Sequence, residues 1–125
     1  MPGAPFAPVT NKGVAYVIAQ LNNAMSYPGL ALGSIVSRAG RVSEGMLAAA
    51  ASALSSLVIV WQPGASLLPH IDDLRSVSRA VAVAVAGAAE AEGLAGTKLV
   101  DVVRQVRDAM WQPEYCPLRP STGTL

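Results

Sequence analysis

A chain of 125 residues and 12.8 kDa sets one domain as the prior, and surface scaling would hide about two-thirds of its unfolded surface, leaving roughly 6,000 Å² exposed. Hydrophobic residues make up 52%, charged residues 14% and aromatics 5%, so the core must be built from Ala, Val and Leu, finely packed and nearly without rings. Nine scattered Lys and Arg against eight Asp and Glu leave +1, which gives nucleic acid no footprint, while one Cys and one His exclude an internal disulfide and a structural zinc site.

Met1 to Pro8 lacks the basic-then-apolar pattern of a secretory leader, so a cytoplasmic location is the default expectation. The uncharged run from Met46 to Ile71 is long enough to span a membrane. It is rich in Ala and Ser, however, and Pro63-Gly64 interrupt it, so its helical part is expected to end near Trp61, short of the ~20 apolar residues a span needs. A membrane is therefore disfavoured as a partner. A chain this apolar is instead expected to hide surface against another protein surface.

The leading residues carry Pro2, Pro5, Pro8, Gly3 and Gly13 and show no helical periodicity. Val14 to Ile18 predicts a short strand that runs into polar Gln20, Asn22 and Asn23. Its partner is either outside this chain or a small ribbon made with the Pro-rich lead. Pro28 and Gly29 open a first helix, on which Leu32, Ile35, Val36 and Ala39 keep helical spacing before Gly40 stops it. Ser43 is a suitable cap for a second helix, with Leu47, Ala50, Ala51 and Leu54 on one face and an end near Val60. A third helix starts around Asp72 or Asp73. Val81, Val83 and Val85 alternate as in a strand, but length and the stripe Leu74, Val77, Ser78, Val81, Val85, Ala88 favour helix up to Gly93. A fourth begins after Thr97, with Leu99, Val102, Val103, Val106 and Met110 apolar, and Asp101, Arg104 and Asp108 on the other face, Arg104 and Asp108 being an i, i+4 pair. From Trp111 on, Pro113, Pro117 and Pro120 make residues 111–125 an extended tail, and no repeat is visible.

Gln20, Asn22 and Asn23 are the most informative polar residues, because open α/β folds place ligand contacts at the end of a strand just before a helix. An Asn amide donates and accepts without charge, so it can bind a hydroxyl, a carboxylate or a nicotinamide carboxamide. The helix opening at Pro28 would aim free N–H groups at a bound anion. The alternative is a loop whose Asn side chains satisfy local backbone groups. His70 with Asp72, Asp73 and a Ser forms a triad only on paper, since no nucleophile-elbow pattern exists, and a helix start explains the two carboxylates. Lys12, Lys98 and Cys116 sit in no activating motif, Pro117-Leu118-Arg119-Pro120 matches a loose SH3-ligand pattern, and no glycine cluster forms a dinucleotide fingerprint or P-loop.

Pro5-Phe6, then Gln20-Leu21-Asn22-Asn23, then Tyr27-Pro28-Gly29 with Gly33 resemble the malic enzyme stretch Gly-Ser-Pro-Phe, Gly-Gln-x-Asn-Asn, aromatic-Pro-Gly. Leu67-Leu68-Pro69, Asp73-Leu74-Arg75, Val77-Ser78, Glu92 to Ala95, and Trp111, Tyr115, Leu118 and Pro120 are similar to later motifs of that family, in the same order. Ala4, Ala19 and His70 depart from it, and Ala19 in place of Gly requires φ below zero there. The resemblance implies a mostly α chain with one short strand, equivalent to the C-terminal helical edge of a Rossmann-type α/β NAD(P)-binding domain over residues 1–110, with the tail after it. It implies malate and nicotinamide contacts at Asn22 and Asn23, with Gln20 supporting the cofactor side. No catalytic residue and no metal ligand is assigned to this chain. NAD or NADP, and Mg or Mn, would act only in a complete subunit, because the family's fingerprint, metal ligands and catalytic Tyr and Lys lie outside the resembling stretch. Met1 stands directly before the first matching motif, as in a truncated or split reading frame, and the chain is expected to be inactive alone. The other function class is a small helical module that self-associates or docks on a partner.

Overall fold

The computed structural model describes residues 6–20 and 22–115. Among them are a hairpin of β1 (Val9–Asn11) and β2 (Val14–Tyr16), a 3₁₀ turn (Asn23–Met25), and helices α1 (Tyr27–Val36), α2 (Glu44–Ser56), α3 (Leu74–Ala91) and α4 (Val102–Ala109). A second 3₁₀ turn, Ile71–Asp73, leads into α3. The expected strand is present and pairs with the Pro-rich lead, antiparallel, with Val9 opposite Tyr16. Lys12 and Gly13 form the connecting turn, both at positive φ (48° and 80°), the geometry whose twist matches a two-residue hairpin. The ladder stops at Tyr16, two residues earlier than expected, and Val17 N–H donates instead to Gly64 O at 2.9 Å.

Helix α3 is the centre of the molecule. Val77, Ser78, Val81, Ala82, Val85, Ala86 and Ala89 are buried along it, so the inward stripe ends on Ala89, with Ala88 only half-buried. One side packs against Met46 and Ala50 of α2, with Leu54 and Leu94 closing the edge. The other packs against α1 at van der Waals limits. A Cβ on Gly29 would lie 2.6 Å from Val81 Cβ, and one on Gly33 would lie 2.6 Å from Ala82 O.

The ends of the helices depend on local chemistry more closely than the sequence stripes suggested. Gly40 does not stop α1: the helix ends at Val36, and Arg38, at φ 49°, turns the chain so that Arg38 N–H bonds Ile35 O and Ala39 N–H bonds Ser34 O. Gly96 N–H then clips this end by donating to Ser37 O at 3.0 Å. Helix α2 begins on Ser43 Oγ, which accepts from Met46 N–H at 3.1 Å, a cap worth about 1 kcal/mol. It ends at Ser56, not near Val60. Ser55 and Ser56 turn their hydroxyls onto the carbonyls of Ser52 and Ala53, and the β-branched residues after Leu57 are poor continuers. Gly93 ends α3 as expected, at φ 67°, with Leu94 N–H bonded to Ala89 O and Gly93 N–H to Glu90 O, a Schellman arrangement. Asp101 belongs to no helical face: it caps α4 by accepting from Arg104 N–H at 3.0 Å, so α4 starts later than Thr97 implied. Val103 is exposed rather than in the core, while Val106 is fully buried. Arg104 does reach Asp108 at 3.5 Å, and Arg107 reaches the same carboxylate at 3.0 Å, all on an exposed surface where such pairs add little.

No helix among the described residues is long and apolar enough to cross a membrane. Gly33→Ala is expected to lower stability by ~1–3 kcal/mol through collision with α3. Gly87→Ala, with nothing within 4 Å of the new methyl, should raise it by ~0.5–1 kcal/mol. Urea unfolding monitored by circular dichroism reads both, and equal effects would contradict the tight α1–α3 seam.

Candidate functional site

The 3₁₀ turn between β2 and α1 presents the two asparagines. Asn22 is extended (φ −138°, ψ 137°), and its Oδ1 accepts from Ala24 N–H at 2.9 Å, so it caps the turn. The turn closes through Met25 N–H to Asn22 O at 3.0 Å and Ser26 N–H to Asn23 O at 3.1 Å. Met25 is buried and anchors it to the core. Asn22 thus plays the local role expected of a loop amide, with its Nδ2 donors still outside that bond. Asn23 is exposed, and its side-chain amide makes no hydrogen bond among the described residues. Gln20 is half-buried and has an interaction of its own. Ala19 is absent from the positive-φ residues, so replacing glycine there imposes no backbone strain.

Helix α1 begins immediately after this turn, without a side-chain cap and without an acidic residue in its first turn, Pro28 taking an early position where no N–H is needed. Its free N–H groups therefore lie next to the asparagines. No Asp, Glu, Lys or Arg occurs between Gly13 and Ser37, so the turn is electrically neutral apart from this helix end.

The other polar clusters resolve into local structure. His70 Nδ1 lies 3.4 Å from Asp72 N and 3.1 Å from Asp72 Oδ2. One nitrogen can serve only one of these two partners at a time. Ser66 Oγ donates to Leu68 O at 2.7 Å and Ser76 Oγ to Asp73 O at 2.8 Å, which ties both hydroxyls to backbone. No group of three His, Cys, Asp or Glu suited to a metal occurs among the described residues. Lys12 sits in the hairpin turn; Cys116 and Pro117–Pro120 lie outside the described residues. One feature carried no sequence signal: Arg75 Nη2 donates to Trp111 O at 3.1 Å and Gln112 Oε1 at 2.8 Å, fastening the start of the tail to α3.

Residues 1–90 match the family described as malic enzyme, NAD binding domain. The chain belongs to that family. It is 48% identical to NAD-dependent malic enzyme 3 of Bacillus subtilis over 94% of its own length and 21% of that protein. It is 44% identical to the malolactic enzyme of Lactococcus lactis over 90% of this chain and 21% of that one, and 43% identical to the NAD-dependent malic enzyme of Sodalis glossinidius over 90% and 20%. The chain therefore spans about a fifth of the length of these relatives. The mostly helical architecture agrees with the family segment that the motifs implied.

If the two amides differ as their hydrogen bonds indicate, Asn22→Ala will cost the isolated chain about 1 kcal/mol as a lost cap. Asn23→Ala should stay within ~0.5 kcal/mol of the parent, as for a surface side chain without a partner. Chemical denaturation of the two variants side by side decides the point.

Proposed function

We propose that this chain supplies the amide contacts to malate and to the nicotinamide end of NAD within a malic-enzyme subunit. The observation that carries this reading is the unbonded amide of Asn23 beside capping Asn22, at the uncapped start of α1, in a chain of the malic enzyme family. Asn22 spends its acceptor on Ala24 and keeps two N–H donors, which suit a carboxylate oxygen. Asn23 keeps both donor and acceptor, which match the carboxamide of nicotinamide. Gln20 supports the cofactor side from the end of the extended segment. The N–H groups of α1 favour the negative charge of a dicarboxylate nearby.

The names of the Bacillus and Sodalis relatives favour NAD over NADP. In such a subunit the cofactor would accept the hydride from malate, while this chain's residues bind and orient the two reactants. The residues around the turn do not fit a divalent metal, for the segment 13–37 holds no carboxylate, so Mg or Mn would be held by other parts of the subunit. The turn thus positions reactants and leaves proton and metal chemistry to groups it faces, which accounts for the expectation that the chain is inactive alone.

The test is a full-length chimera in which this chain replaces the matching fifth of the Bacillus relative. Malate-dependent NADH formation is expected. Asn22→Ala and Asn23→Ala should each lower kcat/KM by roughly 10- to 100-fold, the range for losing a hydrogen bond to a charged or strongly polar partner. Unchanged kinetics in both variants would remove the proposal.

A further inference from the structure

Between the start of α3, the end of α4 and the first tail residues lies a cavity of about 330 Å³ that shares no lining residue with the asparagine turn. Three guanidinium groups converge on it: Arg75 and Arg79, one helical turn apart on α3, and Arg107 of α4. All three are exposed, so each charge by itself is solvated and binds little. Their convergence on one concavity distinguishes them from an ordinary basic surface. They are unequally occupied. Arg75 spends only Nη2, on Trp111 O and Gln112 Oε1. Arg107 spends Nε and Nη2 on Asp108. Arg79 makes no hydrogen bond or ion pair among the described residues. Two carboxylates also line the space: Asp72, 3.1 Å from His70 Nδ1, and Asp73, whose side chain caps nothing. They stand where the chain enters α3, whereas Arg79 lies about 9 Å farther along the helix axis. The cavity therefore has an acidic end and a basic end. With Asp108 counted, three cations meet three carboxylates, so a bare anion gains little from net charge, and an occupant must satisfy both ends.

We propose that this cavity binds a small phosphomonoester that carries hydroxyl groups. Its phosphate lies on Arg79 and the unspent N–H groups of Arg75 and Arg107, and its hydroxyls donate to Asp72 and Asp73. Guanidinium forks match phosphate oxygens two at a time, which is why arginines serve wherever phosphate is held. Hydroxyls suit the other end because they donate to carboxylates and carry no charge of their own. Met110 gives the connecting carbons an apolar wall, and a volume near the lower end of small-molecule pockets fits one phosphate on a short chain. The site stands apart from the reading of the asparagine turn and goes beyond it.

Calorimetric titration of this chain with glycerol 3-phosphate, inorganic phosphate and phosphoethanolamine tests the assignment. Glycerol 3-phosphate is expected to bind several-fold more tightly than inorganic phosphate, and Arg79→Gln should weaken it by roughly 10-fold, as for a charge-assisted contact. Asp73→Asn lifts a repulsion from phosphate and replaces a charged acceptor for a hydroxyl with a weaker neutral one. It should therefore tighten inorganic phosphate and bring the two affinities together, whereas a general electrostatic effect would tighten both alike. Both substitutions fall on exposed side chains, and thermal melts of parent and variants read any loss of fold. Absence of glycerol 3-phosphate binding at millimolar concentration, binding unaltered in Arg79→Gln, equal tightening of both ligands in Asp73→Asn, or tighter binding of phosphoethanolamine would each overturn the proposal. Titration of the full-length chimera repeats the test with the rest of a subunit in place, and loss of binding there would overturn it too. Asn22→Ala and Asn23→Ala should leave these affinities unchanged, so the two sites fail separately.

Discussion

The contact on which the site depends is the close approach of α1 to α3. Two glycines one helical turn apart remove the side chains that would hold the axes apart, so Val81 and Val85 of α3 reach the α1 backbone directly. Such a seam leaves little freedom of rotation or sliding, because interiors are packed as densely as organic crystals. The asparagine turn is tied to that seam. It joins α1 through Ser26, whose carbonyl accepts from Leu30 N–H at 2.9 Å, and it is pinned from below by buried Met25. Glycines that bear no functional group thus set where Asn22 and Asn23 stand.

The division of labour between the asparagines comes from ordinary hydrogen-bond accounting. A short 3₁₀ turn needs an acceptor for its first free N–H, and the extended conformation of Asn22 brings its Oδ1 there. Asn23 is the first residue inside the turn, where its carbonyl is used by Ser26 and its side chain takes no part in that network. Spacing alone shows two equivalent amides; the backbone makes them unequal. Because neither amide titrates, contacts made through them hold at any pH at which the fold holds.

Periodicity made the helices legible, but not their ends. The stripe of Val77, Val81 and Val85 was visible because burial on α3 keeps the 3.6-residue period, and the alternating valines did not mislead once the length of the run was weighed. Ends depend on single residues in particular conformations. Arg38 takes the left-handed position that Gly40, two residues on, was expected to provide, and Ser55 and Ser56 divert hydroxyls to the carbonyls of a failing last turn. The hairpin was half legible: Val14 to Tyr16 reads as strand, whereas Val9 to Asn11 is recognisable only through the Lys12-Gly13 turn, and Lys is a weak signal for positive φ. At the site, residue types were legible and bonding was not. The reach of Arg75 to Trp111 and Gln112 crosses more than thirty positions of sequence and leaves no local trace.

The distribution of buried and exposed apolar side chains ties these points together. A core of Met46, Ala50, Val77, Val81, Val85 and Ala89 is small-grained, as the composition required, and among the described residues α3 is the element buried along its length. The hairpin and the other helices keep apolar side chains exposed: Val9 and Tyr16 on the hairpin, Tyr27 and Ile35 on α1, Leu47 on α2, Val103 on α4. Scattered apolar side chains on a surface are ordinary. On α1 they are contiguous, free of charge and joined to the asparagine turn, so the same helix that packs the turn onto α3 from one side keeps an uncharged apolar stripe in solvent on the other.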